Sequence, residues 1–245
     1  MDASQSRSEF KFLLNNGIST NFRQELATHL PIDQGAEDGY QIESDYFDDE
    51  AQTKYWEKKF GSPSRRRVRT RVYGDASGER EQTYFIEVKH KVGGDSVKRR
   101  VLIDEDELNN IGERKLPSRD CESAQKVLSE VQTLIADPSC KPTVRIRYHR
   151  YAFDAGPEST IRITVDINLT CRFFEEDNFG ELINLTASDQ AIMEVKTIGN
   201  VPYWFRKLIG KHRLIPQSYS KFMTALDYRA NHLPPKTTLK TTHTC

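Results

Sequence analysis

The feature that most restricts this chain is the alternation of charged with apolar side chains over strand-length stretches. It is strongest in 66–73 (RRVRTRVY), 83–92 (TYFIEVKHKV) and 96–103 (SVKRRVLI). Side chains i and i+2 of a strand lie on one face. Arg67, Arg69 and Arg71 therefore share a face, as do Glu87 with Lys89, Lys98 with Arg100, Glu9 with Lys11, Arg162 with Asp166, and Glu194 with Lys196. Valine and isoleucine fill most of the opposite positions. Taken one strand at a time, each charged face also suits the solvated outside of a sandwich.

Gly93-Gly94 weakens that bland reading. A two-residue turn there sets Lys89 opposite Lys98 and Glu87 opposite Arg100. Like charges directly opposite destabilise a ladder. The three arginines on one face of 66–73 repeat the problem. Ten cations fall on these faces: Lys11, Arg67, Arg69, Arg71, Lys89, Lys98, Arg100, Arg150, Arg162 and Lys196. They meet four anions, Glu9, Glu87, Asp166 and Glu194. The whole chain, by contrast, balances 36 Lys+Arg against 36 Asp+Glu. A generic nucleic-acid binder relying on global positive charge is thereby disfavoured; a local site for a polyanion is not.

Many antiparallel strands can close into a barrel whose inner and outer positions alternate. The expectation is an α+β fold: a β-barrel tunnel with the charged face as lumen and helices packed outside on the apolar face. Helices are expected at 19–30, capped by Ser19 or Thr20, at 120–136, at 201–212 and at 217–230. Further strands are expected at 7–14, 40–47, 143–153, 160–169, 170–175 and 191–198, with a short helix or turn at 50–60. The chain divides into a flexible 1–6, one domain over 7–230, and a disordered polar tail at 231–245. At 36% hydrophobic residues, a folded core is affordable without staples.

No apolar run approaches the ~18 residues of a membrane span, and the N-terminus has no hydrophobic h-region. A cytoplasmic protein is expected. Cys121, Cys140, Cys171 and Cys245 form no CxxC pair, so all are read as reduced and structural. The sequons at Asn168 and Asn184 are read as chance matches, and His90 and His149 as surface or supporting residues.

Several short segments together resemble a known family. They are Arg7-Ser8-Glu9-Phe10-Lys11, Ser44-Asp45-Tyr46-Phe47-Asp48, Arg67-Val68-Arg69-Thr70-Arg71-Val72-Tyr73-Gly74, Glu87-Val88-Lys89, Ser96-Val97-Lys98, Tyr148-His149-Arg150-Tyr151-Ala152-Phe153, Arg162-Ile163-Thr164-Val165-Asp166, Glu194-Val195-Lys196 and Ser220-Lys221-Phe222. In this order and spacing they resemble the VTC domain, named for the vacuolar transporter chaperone complex, within the triphosphate tunnel metalloenzyme superfamily. The resemblance covers 7–230 and implies an eight-stranded antiparallel tunnel. It implies transfer of the terminal phosphoryl of ATP onto a growing polyphosphate chain with a divalent ion, Mn²⁺ or Mg²⁺.

Carried over by position, the phosphate ligands are Lys11, Arg69, Arg71, Lys89, Lys98, Tyr148, Arg150, Arg162, Ser220 and Lys221, with Glu194 on the metal. Glu9 and Glu87 either orient cations or support the metal. Lys196 fits a phosphate contact or the neutralisation of Glu194 equally well, and Arg100 extends the cationic lining. Arg7 stands where the wider superfamily has the first Glu of Glu-x-Glu-x-Lys, which puts a two-metal triphosphatase mechanism in doubt. A triphosphatase acting on tripolyphosphate or a nucleoside triphosphate, and a non-catalytic polyphosphate-binding module, use the same lining and remain open. A membrane partner protein is compatible with the family.

One tension stays in the sequence. Tyr148 and Arg150 share parity with Val144 and Ile146, while Arg145, Arg147 and His149 fall on the other face. A bulge or twist would be needed to resolve it.

Overall fold

The computed structural model describes residues 7–15, 18–33, 37–74, 81–93, 95–156, 159–174 and 180–232. The expectations for 1–6 and 233–245 lie outside the described residues. The strands are β1 (Arg7–Leu14), β2 (Tyr40–Asp48), β3 (Ser64–Gly74), β4 (Thr83–Val92), β5 (Asp95–Ile103), β6 (Lys141–Asp154), β7 (Ile161–Phe173), β8 (Ile183–Asn184) and β9 (Ala191–Ile198). The helices are α1 (Ile18–Ala27), α2 (Thr53–Lys59), α3 (Glu105–Ile111), α4 (Glu122–Leu134), α5 (Tyr203–Lys211) and α6 (Lys221–His232). The stretches expected at 160–169 and 170–175 are one strand. Ser19 and Thr20 lie inside α1 rather than capping it, and α6 runs on past residue 230.

All strands join one antiparallel sheet in the order β1-β9-β7-β6-β2-β3-β4-β5, with β8 added to β7. The closed barrel is corrected here. Among the described residues β1 and β5 do not pair, so the sheet has two edges. It curls nonetheless. Five strands separate β1 from β4, which in a flat sheet would hold them roughly 29 Å apart at the usual strand spacing. Yet Lys11 and Glu9 of β1 act electrostatically on Lys89 of β4. The charged face is therefore concave.

The β4–β5 hairpin has the register that Gly93-Gly94 requires: Lys89 opposite Lys98, Glu87 opposite Arg100, and Val92 opposite Asp95. Gly93 carries the positive φ, 56°, that such a turn needs.

Two outer clusters hold the convex side. Phe12, Leu14, Ile163, Val165, Met193 and Val195 pack with Phe22 and Leu26 of α1 and with Phe205 and Leu208 of α5. Val68, Ile86, Val88, Val101 and Ile103 pack with Ile111 of α3 and Val127, Leu128 and Val131 of α4. Sequence reading passed over α3, although its capping box is written there. Asp104 accepts from the Glu107 N–H, and Glu107 accepts from the Asp104 N–H.

A third cluster lies on the concave side and corrects the expectation that every helix packs outside. Phe222, Met223, Ala225 and Leu226 of α6 and Tyr55 of α2 pack against Ile42, Tyr46, Val144, Ile146 and Tyr148. This removes the parity tension. Val144 and Ile146 do share the inner face with Tyr148 and Arg150, because α6 lies on it there. Arg145, Arg147 and His149 point outward, where Arg145 forks onto Asp45 at 2.7 and 2.8 Å. The irregularity falls on β7. Its register shifts opposite Arg147–His149, and Asn168 takes a positive φ of 53°. Arg162, Thr164 and Asp166 thereby face inward on one side of the shift, and Leu169, Cys171 and Phe173 on the other.

Cys121, Cys140 and Cys171 are free thiols. No helix among the described residues is long and apolar enough to cross a membrane.

Candidate functional site

Eight strands and two helices send polar side chains into the concave face. On β3 the inward residues are Arg67, Arg69, Arg71 and Tyr73, as the alternation required. Arg69 forks onto Glu87 of β4 through Nε at 2.7 Å and Nη2 at 2.6 Å. Its Nη1 donates to the Tyr46 hydroxyl at 3.1 Å. Arg71 has no carboxylate partner among the described residues. It donates to Ser44 Oγ at 3.0 Å, Tyr148 Oη at 3.1 Å and Tyr73 Oη at 3.4 Å. Glu87 is fully buried. Burial alone would raise its pKa, but Arg69, Arg71 and Lys98 hold it at about 2. Lys98 lies 3.5 Å from Glu87, so the lysine pair across the hairpin is partly neutralised. Arg100 sits over the Phe85 ring at 4.3 Å rather than on Glu87.

On the other wall one ionic chain runs through four strands and α6. Lys11 Nζ reaches Glu9 at 3.1 Å and Glu194 at 3.4 Å. Lys221 reaches Glu194 at 3.3 Å and Asp166 at 2.6 Å. Asp166, fully buried, takes a bidentate Arg150 at 2.6 and 2.8 Å. Burial opposes ionisation of Glu194, yet Lys221, Lys11, Arg150 and Lys196 pull its pKa well below the usual carboxylate range. Tyr148 joins the two walls. Lys221 and Arg150 lie over its ring at 4.7 and 5.2 Å, and its hydroxyl accepts from Arg71.

Backbone contacts fix α6 in this position. The Gln217 N–H donates to the Lys11 carbonyl at 2.8 Å, and Lys11 Nζ donates to the Tyr219 carbonyl at 3.1 Å. Ser220 accepts the Thr224 N–H through its carbonyl at the first turn. On the opposite side Asp48, buried at the end of β2, accepts from the N–H groups of Lys54 at 2.8 Å and Tyr55 at 3.1 Å. That bond set starts α2 and turns it over the concave face.

The sequence-derived residues are thus mostly brought together, with two exceptions. Arg162 has the expected parity but reaches the rim, where Asp33 at 3.1 Å and Asp154 at 3.4 Å take its guanidinium. Lys196 is exposed and makes no ion pair among the described residues. Reading by sequence missed Tyr46. Burial would raise its phenol, but Arg69 and Arg71 lower it to about 8. The signal was its parity with Ser44 on β2.

Lys89 is likewise drawn down to about 8, by desolvation first and then by Arg69 and Lys11. It forms no ion pair among the described residues and stays open to water in the lumen. A cation held among cations in this way is a ready partner for an anion.

Whether the site suits a divalent metal depends on its oxygen donors. Glu9 and Glu194 converge on one cationic centre, the Lys11 ammonium. No group of three or more His, Cys, Asp or Glu side chains gathers among the described residues. Mg²⁺-type ions are held by one or two carboxylates, with phosphate oxygens and water completing the shell. The donor set fits an ion of that kind delivered with a phosphate ligand, and does not fit an all-protein cage.

An antiparallel sheet curled round a cationic concave face is the architecture of the triphosphate tunnel metalloenzyme superfamily. Within it, this chain belongs to the VTC domain family, whose family model matches residues 6–229. Among solved structures, a proposed adenylate cyclase from Bacillus halodurans superposes with a TM-score of 0.50 at 12% identity, covering 86% of this chain and 92% of that one. That likeness concerns the fold. A Pyrococcus horikoshii protein (TM-score 0.48, 12% identity, 91% and 100% coverage) and a proposed adenylate cyclase from Vibrio parahaemolyticus (0.46, 12%, 91% and 99%) match more loosely.

Proposed function

We propose that this protein is a metal-dependent phosphotransferase that moves the terminal phosphoryl of ATP onto an inorganic polyphosphate chain held in the cationic groove. The observation that carries this reading is the set of inward cations without carboxylate partners, Arg67, Arg71 and Lys89, beside others already neutralised. Phosphoryl transfer asks the protein for positioning and charge neutralisation rather than covalent chemistry. Arg71 presents a planar fork to phosphate oxygens, Arg69 adds its charge from its place on Glu87, and Lys89, Lys98 and Lys11 act as point charges. Arg150 and Lys221, tied to Asp166, keep Tyr148 in place and hand its hydroxyl to Arg71. Ser220 stands at the start of α6 beside them.

Glu194, supported by Glu9, would hold the divalent ion, which would supply neutralisation of the charge on the phosphates. Lys11 and Lys221 keep both carboxylate environments ionised at neutral pH. Family membership, with Arg7 where a two-metal site would have its first Glu, favours transfer over a two-metal hydrolysis.

The test is purified protein with ATP and Mn²⁺ or Mg²⁺. Long-chain polyphosphate plus ADP is the expected product. Orthophosphate release alone replaces the reading with a triphosphatase, and binding without turnover replaces it with a polyphosphate-binding module.

A further inference from the structure

α5 lies on the convex side of the sheet, away from the groove, and its two faces differ sharply. Phe205 and Leu208, with Trp204 and Ile209, pack into the core beside β1, β7 and β9. The opposite face is Tyr203, Arg206, Lys207, Gly210 and Lys211, all exposed and spaced to share one side of a helix. No acidic residue occurs between Glu194 and Asp227, in a chain that holds 36 of them. From a neighbouring element, Glu25 of α1 takes Lys211 at 2.8 Å and His212 at 3.0 Å. Arg206 and Lys207 have only the Tyr203 ring, each 5.7 Å from its centroid, and neither makes an ion pair among the described residues.

The end of α5 extends this face. The Arg213 N–H donates to the Gly210 carbonyl at 3.1 Å, and the Leu214 N–H to the Ile209 carbonyl at 3.0 Å. These are the paired bonds of a Schellman stop. Its left-handed position, φ 50°, is filled by Arg213, where glycine would sit without steric cost. Leu214 turns into the core. Arg213 is left in solvent without an ion pair among the described residues, next to Ile215, which is 77% exposed. At the start of the helix Tyr203 is 68% exposed.

We infer that this face of α5, with Arg213 and Ile215, docks the protein on a bilayer surface that carries anionic phospholipid. Arginine and lysine on an otherwise acid-free helix face are drawn to headgroup phosphates. A phenol and one aliphatic side chain suit the boundary between headgroup and acyl chain. With nine residues, α5 is far too short to span a bilayer and can only lie along it. It stands out from a convex surface, so a flat partner reaches all its cations at once. The chain as a whole has no net charge, so the attraction belongs to this face and not to the molecule. The groove opens on the other side of the sheet, and the inference is independent of what the groove does.

The test is sedimentation of the full chain with phosphatidylcholine vesicles, with and without phosphatidylserine. The wild type should sediment only with the phosphatidylserine vesicles, and less as salt is raised. Arg206→Glu/Lys207→Glu should weaken binding by roughly tenfold or more, with the melting temperature unchanged because both side chains are exposed. Tyr203→Ser/Ile215→Ser should weaken it less and leave the salt dependence intact. The groove variant Arg71→Ala should bind vesicles like the wild type. Vesicle binding lost in Arg71→Ala but kept in Arg206→Glu/Lys207→Glu overturns the proposal, because the groove would then be holding the lipid. Equal sedimentation with phosphatidylcholine alone, or none with either vesicle, overturns it as well. So does soluble polyglutamate that binds as tightly as the vesicles and is lost in the same charge-reversed variant, which would give the face to an acidic protein.

Discussion

Arg69 and Arg71 lie two residues apart on one face of β3, yet only Arg69 is held by a carboxylate. Glu87, fully buried, takes two nitrogens of Arg69 on its Oε2, whereas Arg71 rests on the hydroxyls of Ser44, Tyr73 and Tyr148. Both arginines face the same ligand space with different structural debts.

Removing them should therefore separate folding from binding. Arg69→Ala strands a buried carboxylate and should cost about 3–5 kcal/mol of stability. Arg71→Ala gives up neutral hydrogen bonds and should cost about 1 kcal/mol for each one that is not replaced by water. Both should lose tripolyphosphate affinity. Urea unfolding beside calorimetry checks this; equal destabilisation by the two changes would show that Arg71 is as structural as Arg69.

The pH response of the groove has opposite signs for stability and for binding. Tyr46 and Lys89, each near 8 in the folded protein, lie below their unfolded values of 10.0 and 10.5. Between about pH 8 and 10 the unfolded chain binds more protons at both sites, so stability without ligand should rise with pH there. Over the same window Tyr46 becomes negative and Lys89 neutral, so tripolyphosphate should bind progressively more weakly. Calorimetry in buffers of different ionisation enthalpy should find proton uptake on binding near pH 8.5, reduced in Tyr46→Phe. No proton uptake in the wild type would contradict the assignment.

Glu194→Gln keeps shape and removes charge. The loss leaves Lys11 and Lys221 less neutralised, so tripolyphosphate should bind as tightly as before or more tightly. Turnover should fall by orders of magnitude, because the carboxylate proposed to hold the divalent ion is gone. Glu9→Gln should be milder, since Glu9 leans on Lys11 from the more exposed side. Near-normal turnover with unchanged metal dependence in Glu194→Gln would transfer the metal role to Glu9 or Glu87.

Much of this was legible in the alternation of side chains. The turn at Gly93-Gly94 fixed the β4–β5 pairing, and the parity of β3 placed its arginines inward. What could not be read was where long-range partners land. Arg162 has inward parity, but Asp33, far away in the chain, draws it to the rim. Val144 and Ile146 looked misplaced because nothing in β6 announces that α6 will lie on its inner face. Barrel closure failed for a related reason. Curvature comes from accumulated twist and bulges such as that at Asn168, while the hydrogen bonding of two edge strands depends on whether that curvature completes the circle. Tyr46 was passed over because a phenol between two arginines looks like an ordinary aromatic until its neighbours are known.

The pairing of β1 with β9, Arg7 opposite Ile198 through Leu14 opposite Ala191, sets a schedule for folding. During synthesis the first strand emerges long before its hydrogen-bonding neighbour, and β9 must also find β7 before the wall is whole. Local hairpins such as β3–β4–β5 can form early, while the loop joining β1 to β9 is among the costliest in the chain to close. The wall bearing Glu9, Lys11 and Glu194 is therefore completed late, and α6 can lock it only afterwards. A nascent chain interrupted before β9 would own most of its arginines but lack Glu194, the carboxylate that joins Lys11 to Lys221. It would expose an unpaired first strand to any neighbour able to complete it.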